Sequence, residues 1–572
     1  MQGTGSDERS TGQGYLPRGA ACVSCRRRKM KCDGKRPVCS QCERAGRSED
    51  CEYMSGQERS TVQILEENIS RLEARIQELQ NPETPAAAVR LHQPYTGGGQ
   101  QPSAPSPSST PPIQEPPRHV AENLMSTFFA HAVQVGFFLN ISRFQASFFV
   151  NQPTGHPSRP APALISSVYL WAIRLSHDPS VKAHEAAYLD RATQDAATAL
   201  SGTHPEKIIH TIQAEVLLAN FFFASGRFFE GKYHVTTAIS LVFSAGLHRI
   251  RSNSPQQPQS SADNRLSAPR DSTEEGERIL ALWTVLNLDK EWAVALEERP
   301  NFEYSTHALA TKIDTPWPLE MEDFEQGRLP AQARTSNTIQ NFLNGVSTPD
   351  LGVSLRAIEA KTAVLWDRVS SFTRKYQPES SPQTLQALMQ EFNGLSSIFE
   401  SLTALLPTAD PQALVRVQDV QKARRAGVVY SMLCAAVIRL NGPLASSGND
   451  GAKRKRLAMA RVILETVLAM RSRGPGYLNP IIGTVWIEAS QVVFDEISSI
   501  RSRRASGSLP AGSGDDRAML SLVQQATNAM ADFSVNIPLT SKSAQYARII
   551  DDPLITSSGF QISKIRETGQ IL

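Results

Sequence analysis

The chain has 572 residues, with 59 Lys and Arg against 56 Asp and Glu and a formal net charge of +3. Its length and 40% hydrophobic content allow a sizeable core and exclude a small disulfide-stapled scaffold. No apolar run reaches bilayer length, and the N-terminal MQGTGSDERS has no apolar signal segment, so neither a membrane-spanning nor a secreted protein is expected.

After a disordered N-terminus, 1–17, six of the seven cysteines fall at Cys22, Cys25, Cys32, Cys39, Cys42 and Cys51. The pattern is C-x2-C-x6-C-x6-C-x2-C-x8-C, a pseudo-repeat of two C-x2-C pairs each followed by a lone Cys. Such spacing suits tetrahedral thiolate coordination of zinc. Two separate tetrahedral sites need more ligands than six cysteines supply, so two thiolates must bridge and the centre is binuclear. Seven basic residues in 26–36 (Arg26, Arg27, Arg28, Lys29, Lys31, Lys35 and Arg36) face one acid, Asp33. In a loop fixed by zinc, such a run suits contact with phosphates.

With the six cysteines, the basic run and Pro37, segment 18–54 resembles the fungal binuclear zinc cluster transcription factors. The resemblance implies two Zn2+ per chain. One would be held by Cys22, Cys25, Cys32 and Cys39 and the other by Cys39, Cys42, Cys51 and Cys22, so that Cys22 and Cys39 bridge. Each C-x2-C is expected to open a short helix whose N–H groups face the thiolates. In the family the end of the first helix enters the major groove, where a Lys reads a CGG triplet, and Lys29 occupies that position. Arg28 and Lys29 are therefore the candidates for base contact. Arg26, Arg27, Lys31, Lys35 and Arg36 are candidates for phosphate contact. The family's loop proline allows a tight turn, a role that falls to Pro37.

Segment 55–81 carries heptads, with Val62, Ile69 and Ile76 at a and Leu65, Leu72 and Leu79 at d. β-branched residues at a with leucine at d favour a parallel two-stranded coil. A homodimer presenting two copies of the reader to a two-part DNA site follows from that symmetry. Residues 82–118, rich in Pro, Ser and Gly, read as a disordered linker.

The remainder, 119–550 followed by a tail at 551–572, is nearly charge-balanced, which confines basicity to the N-terminus. Ala- and Leu-rich stretches broken by Gly, Pro or Ser predict a large all-helical domain with room for two subdomains. The chain as a whole is thus expected to be mainly α. A helical hairpin is predicted from Ile208–Ala224 and Phe228–Ala245, broken at Ser225-Gly226 and stopped at Gly246. Ile279, Leu282, Trp283 and Leu286 mark one helix face. Polar interruptions at 251–274, 328–350 and 505–515 are expected to be mobile.

The stretches LLANFFFASGRFFEGKYHVTTAISLVFSAGLHR, RILALWTVLNLDKEWAVALEERP and IDTPWP resemble the fungal-specific transcription factor domain over about 120–330. Lys290 stands where that family commonly has Arg. The resemblance implies a regulatory role, in some members through a small-molecule signal, and no effector is identified from these residues.

Asp289, Arg249 and Arg278 are expected to form structural ion pairs between helices rather than a catalytic constellation. His248 reads as a packing residue and Cys434 as an inert buried thiol. No P-loop, H-E-x-x-H or G-x-S-x-G motif is present, and no enzymatic activity is expected. The expectation is a nuclear, sequence-specific RNA polymerase II transcription factor that regulates a fungal, metabolic gene set. It would act through double-stranded DNA with CGG-type half-sites and the transcription machinery. The alternative is a repressor or chromatin adaptor using the same DNA-binding module. Lys453-Arg454-Lys455-Arg456 and the run at 26–31 are the candidate import signals.

Overall fold

The computed structural model describes residues 20–51, 53, 115–253, 266–302, 312–348, 350, 352–376, 381–406, 410–474, 476–508 and 516–533. The heptads at 62–79, the tail at 551–572 and most of the linker lie outside these. The chain divides into two compact units, within 1–109 and 110–572. Among the described residues no strand forms, and the only β pairing is a single bridge between Ser252 and Thr335.

Among its described residues, the first unit has almost no hydrocarbon interior. Its buried cluster consists of Cys22, Cys25, Cys32, Cys39 and Cys42, with Ala21, Val38, Cys51 and Tyr53 half-buried against it. The second unit is mainly helical, and most of its buried hydrophobic residues, from Ala121 to Phe533, form one core, with a small second cluster of Leu414, Ala426 and Ala469. All six tryptophans are buried in the main core.

The predicted hairpin is present as Lys207–Ala224 and Phe228–Ser244. The first of these helices is apolar on nearly every face and is buried almost all round, as such a helix must be. Gly246, at φ +74°, ends the second in the left-handed region that glycine adopts most readily. The predicted face of Ile279, Leu282, Trp283 and Leu286 lies within Ser272–Ala295, and Trp283 stacks on Trp317 at 4.4 Å. Further helices, Leu355–Lys375, Val420–Leu440, Asp450–Ser472 and Ile481–Ala505, pack side by side onto this frame. Among the described residues, no helix is long and apolar enough to cross a membrane.

Buried charges tie the helices together. Lys290 donates to Asp367 Oδ2 at 3.0 Å and to the Phe302 carbonyl at 3.3 Å, joining Ser272–Ala295 to Leu355–Lys375. Arg425 donates to Glu359 at 2.7 Å and Glu320 at 3.1 Å. Asp289, Arg249 and Arg278 do not form the expected interhelical pairs with one another. Asp289 accepts the N–H groups of Asn301 and Phe302, both at 3.0 Å, and so fixes the chain after its helix. Arg278 pairs with Glu274 one turn earlier at 2.5 Å. His248 is buried and packs on Phe243 at 4.8 Å, and burial lowers it to about 4. Cys434 is fully buried and burial pushes it up to about 12, which leaves a protonated, unreactive thiol.

Parts of the polar interruptions are packed rather than mobile. Leu329, Ala333 and Ile339 are buried, and Thr338–Leu343 is helical. The Asn253 N–H donates to the Thr335 carbonyl at 3.0 Å, and the Arg251 guanidinium donates to Glu275 at 2.7 Å. At the end of the expected linker, Glu115 pairs with buried Arg159 at 2.9 Å.

Asp367→Ala removes the carboxylate to which the buried Lys290 ammonium donates. Breaking a buried pair in this way costs about 3–5 kcal/mol. Urea denaturation of the full chain should show that loss, and Lys290→Met with Asp367→Leu should recover most of it.

Candidate metal centre and nucleic-acid interface

Two five-residue helices, Val23–Arg27 and Ser40–Arg44, frame the thiols. Isolated helices of this length are not stable, so other contacts must hold them. Each begins on a cysteine in extended backbone. Cys22 Sγ accepts the Cys25 N–H and Cys39 Sγ accepts the Cys42 N–H, both at 3.4 Å. A sulfur thus stands where serine or aspartate usually caps a helix, and the helix N-terminus favours a negative charge there.

Both helices also end alike. The Met30 N–H donates to the Cys25 carbonyl at 2.9 Å and the Lys29 N–H to the Arg26 carbonyl at 3.2 Å. In the second half, Arg47 N–H to Cys42 O at 2.9 Å and Gly46 N–H to Glu43 O at 3.1 Å repeat the pattern. This paired closure requires one left-handed residue. It is Gly46, at φ +65°, in the second half, and Lys29, at φ +55°, in the first. The module therefore holds a long cationic side chain at the one position of the turn where its own repeat has glycine.

Cys22, Cys25, Cys39 and Cys42 lie with their sulfurs within 4.8 Å of one another. Cys22 and Cys39 are 3.7 Å apart, Cys22 and Cys42 3.8 Å, Cys25 and Cys39 3.6 Å, and Cys25 and Cys42 4.0 Å. Zn–S bonds of about 2.3 Å in a tetrahedron give S···S edges of about 3.8 Å, so these thiols have the spacing zinc needs. Cys32 groups with Cys39 and Asp33 within 4.8 Å, and Cys51 Sγ accepts the Cys39 N–H at 3.2 Å. Cys39 Sγ thus lies within 4.8 Å of the sulfurs of Cys22, Cys25, Cys32 and Cys42, and the Cys39 N–H meets Cys51 Sγ. Cys22 and Cys39 are fully buried, as bridging ligands would be. Burial opposes ionisation of Cys39, yet the Cys42 N–H and the surrounding thiols bring it down to about 6, while burial pushes Cys25 up to about 12.

Arg26, Arg27, Arg28, Lys29, Lys31, Lys35 and Arg36 are all exposed around this centre. The single acid in the run is used internally. Asp33 accepts the Ser40 hydroxyl at 2.6 Å and the Ser40 N–H at 3.1 Å, and these bonds hold its carboxyl below the ordinary range. Sequence reasoning missed Tyr53. Its hydroxyl donates to the Lys35 carbonyl at 2.8 Å, lies 3.8 Å from Cys32 Sγ, and its ring carries the Arg36 guanidinium at 4.9 Å. It fixes the basic loop to the thiol cluster, and its one sequence signal is an aromatic two residues after the last cysteine. The Arg36–Pro37 peptide in that loop is cis.

Residues 20–60 match the family described as the fungal Zn(2)-Cys(6) binuclear cluster domain. Residues 125–414, about half of the chain, match the fungal specific transcription factor domain. That match runs well beyond the stretch at 120–330. The chain is also similar to "Transcription factor FBD3" of Gibberella moniliformis (strain M3125 / FGSC 7600), 36% identical over 110 residues. The alignment spans 17% of this chain and 14% of that protein. The chain belongs to the fungal zinc cluster transcription factors. The matched domains are those of DNA-binding transcription factors and not of enzymes, and the cluster domain is one that binds two zinc ions.

With no aliphatic core among its described residues, the module should unfold when its metal is removed, because metal binding supplies the folding energy. Cys22→Ser or Cys39→Ser should remove both zinc ions from a 15–60 fragment, whereas Cys51→Ser should leave one. Metal analysis by mass spectrometry checks this. One zinc in the unaltered fragment would refute the shared-ligand arrangement.

Proposed function

We propose that the chain reads CGG-type triplets as a homodimer in the nucleus and regulates a fungal metabolic gene set through RNA polymerase II. The proposed zinc ligands are Cys22, Cys25, Cys32 and Cys39 for one ion and Cys39, Cys42, Cys51 and Cys22 for the other. The proposed base contacts are Lys29 and Arg28. Arg26, Arg27, Lys31, Lys35 and Arg36 would contact phosphates and set register.

The observation that carries this reading is the left-handed backbone of Lys29. A non-glycine residue in this region is strained, and such strain is concentrated at functional positions. Gly46 in the matching turn shows what the turn alone requires. The lysine is the side chain that duplex reading needs, because an ammonium pairs with the guanine O6 and N7 acceptors in the major groove.

Dimerisation through Val62, Leu65, Ile69, Leu72, Ile76 and Leu79 would bring two weak readers together and raise their effective concentration. Residues 15–82 should then bind a paired-triplet duplex as a dimer and bind it far more tightly than the zinc module alone. Leu65→Asp with Leu72→Asp should abolish that gain. Sedimentation with a labelled duplex reads both. A monomeric 15–82 fragment bound tightly to one triplet would contradict the homodimer.

Lys29→Ala should cost about 1–3 kcal/mol at the guanine contacted and flatten discrimination between the CGG-type site and random DNA. Lys35→Ala should weaken all DNA alike and lower the salt slope by about one unit. Lys29→Gly separates strain from reading. It should lose the same discrimination while zinc-module stability stays unchanged or rises by up to about 1 kcal/mol, as the turn regains its preferred residue. Uniform loss of affinity across sequences in Lys29→Ala would remove Lys29 as the reader.

A further inference from the structure

The helix Ile481–Ala505 ends in the run Arg501-Ser502-Arg503-Arg504-Ala505, and Ser506 caps it. The chain turns at Gly507, at φ +72°, where the Ser508 N–H donates to the Arg503 carbonyl at 2.9 Å and the Gly507 N–H to the Arg504 carbonyl at 3.1 Å. This is the paired closure that a left-handed glycine allows. Ser506 is exposed on that turn. Its hydroxyl donates to the Arg503 carbonyl at 3.1 Å and lies 3.1 Å from the Ser508 hydroxyl. The pattern Arg-Arg-x-Ser, two guanidiniums at fixed steps before a hydroxyl, occurs once in the chain. The other Arg-Arg-Ala, at 424–426, is buried and is followed by Gly427.

The same turn holds the start of the last described helix, Asp516–Phe533. Arg504 Nη2 donates to Asp516 Oδ1 at 2.7 Å, and Arg501 Nε lies 3.8 Å from Asp516 Oδ2. Asp516 is buried and is the first residue of its helix. That helix packs on Asp450–Ser472 and Ile481–Ala505 through Met519, Val523, Ala526, Met530 and Phe533. Arg503 is turned the other way, to Glu496 at 3.2 Å on the exposed face of its own helix.

We propose that Ser506 is a phosphorylation site for a serine kinase whose substrate groove carries carboxylates for Arg503 and Arg504, and that the phosphoryl group releases the start of the helix Asp516–Phe533. Carboxylates at set positions pair with guanidiniums and read such a charge pattern. The last turn of a helix opens at low cost when its backbone bonds are exposed, so the kinase gains access without unfolding the core. Ser506 Oγ attacks the γ-phosphorus of ATP and an Oγ–P bond forms. The bond from that phosphorus to the β–γ bridging oxygen breaks, and ADP leaves with the electron pair. The hydroxyl proton passes to a base of the kinase. The phosphate then carries a charge of about −1.5 to −2. It has lost the donor that met the Arg503 carbonyl, and it sits at the negative end of the helix, which repels it. The cations that offset it are Arg501, Arg503 and Arg504, and a phosphate binds guanidinium more strongly than one carboxylate does. Drawing Arg504 away weakens the tie on Asp516, and the helix behind it loosens from its first turn. The site uses nothing of the zinc module and is independent of the proposed DNA contacts.

The test treats the full chain with ATP, Mg2+ and the catalytic subunit of cyclic-AMP-dependent protein kinase, a kinase directed by paired arginines. Peptide mass spectrometry should place a phosphoryl group on Ser506, and Ser506→Ala should abolish that peptide's modification. Arg503→Gln keeps the Arg504–Asp516 pair and should slow the modification by about tenfold or more, the effect of losing one charged contact. Hydrogen exchange at the first amides of Asp516–Phe533 should be about tenfold faster or more in the phosphorylated chain and unchanged in treated Ser506→Ala. Asp516→Asn without kinase should reproduce the faster exchange. If that variant unfolds the helical unit, Arg504→Gln is measured in its place. Chain expressed in fungal cells should carry the same phosphate. A folded chain left unmodified at Ser506 by the kinase, or recovered unmodified there from the cells, would overturn the site. Arg503→Gln modified as fast as the parent would overturn its recognition, and unaltered exchange after phosphorylation would overturn the release.

Discussion

The crowding of thiols at the N-terminus is the constraint on which the DNA-reading unit depends. Among the described residues its interior is sulfur and little else: five buried cysteines, two of them fully buried, and no leucine, isoleucine or phenylalanine behind them. A domain of this size cannot hold itself together by hydrocarbon burial, so a metal must supply the missing energy. The same sulfurs also cap both short helices. Removing the charge that zinc stabilises on them would therefore release the helix starts, and with them the turn that positions Lys29.

That turn is where the two halves of the pseudo-repeat differ in consequence. Both close with the same pair of backbone hydrogen bonds, and both need a left-handed residue. One half takes the unstrained solution, Gly46. The other accepts strain at Lys29 and gains an exposed ammonium on the end of a rigid helix. The Asp33 carboxylate is tied to Ser40, and Tyr53 anchors the Lys35–Arg36 loop. The positive face is thus pre-arranged by contacts within the module. The helical unit has the opposite construction, a continuous hydrocarbon core crossed by a few buried ion pairs such as Lys290 with Asp367.

The legible part of the molecule was the part encoded by local spacing. Cysteine intervals announce a metal centre because ligand geometry constrains them, and the break at Ser225-Gly226 with the stop at Gly246 announces a hairpin because backbone conformation constrains glycine. The strain at Lys29 was not legible, since it appears only when the two closing turns are compared in space. Asp289 was misread because its partners are the Asn301 and Phe302 backbone N–H groups and the Asn301 side-chain amide, none of which carries a charge. Lys290 and Asp367 lie 77 residues apart, and nothing in either neighbourhood marks the other. The segment 328–350 looked mobile from its polarity, yet Leu329, Ala333 and Ile339 are buried and Phe342 and Leu343 pack on the core.

Zinc held by the cysteine cluster organises the DNA-binding module, while the helical unit stands on its own core. The most direct measurement titrates a chelator into the full chain. It follows bound zinc, discrimination between a CGG-type duplex and a scrambled one, and the thermal transition of the helical unit together. Discrimination should fall in step with the loss of two zinc ions per chain and return on adding zinc, with the helical transition unmoved. Discrimination that persists in the zinc-free chain would contradict the claim.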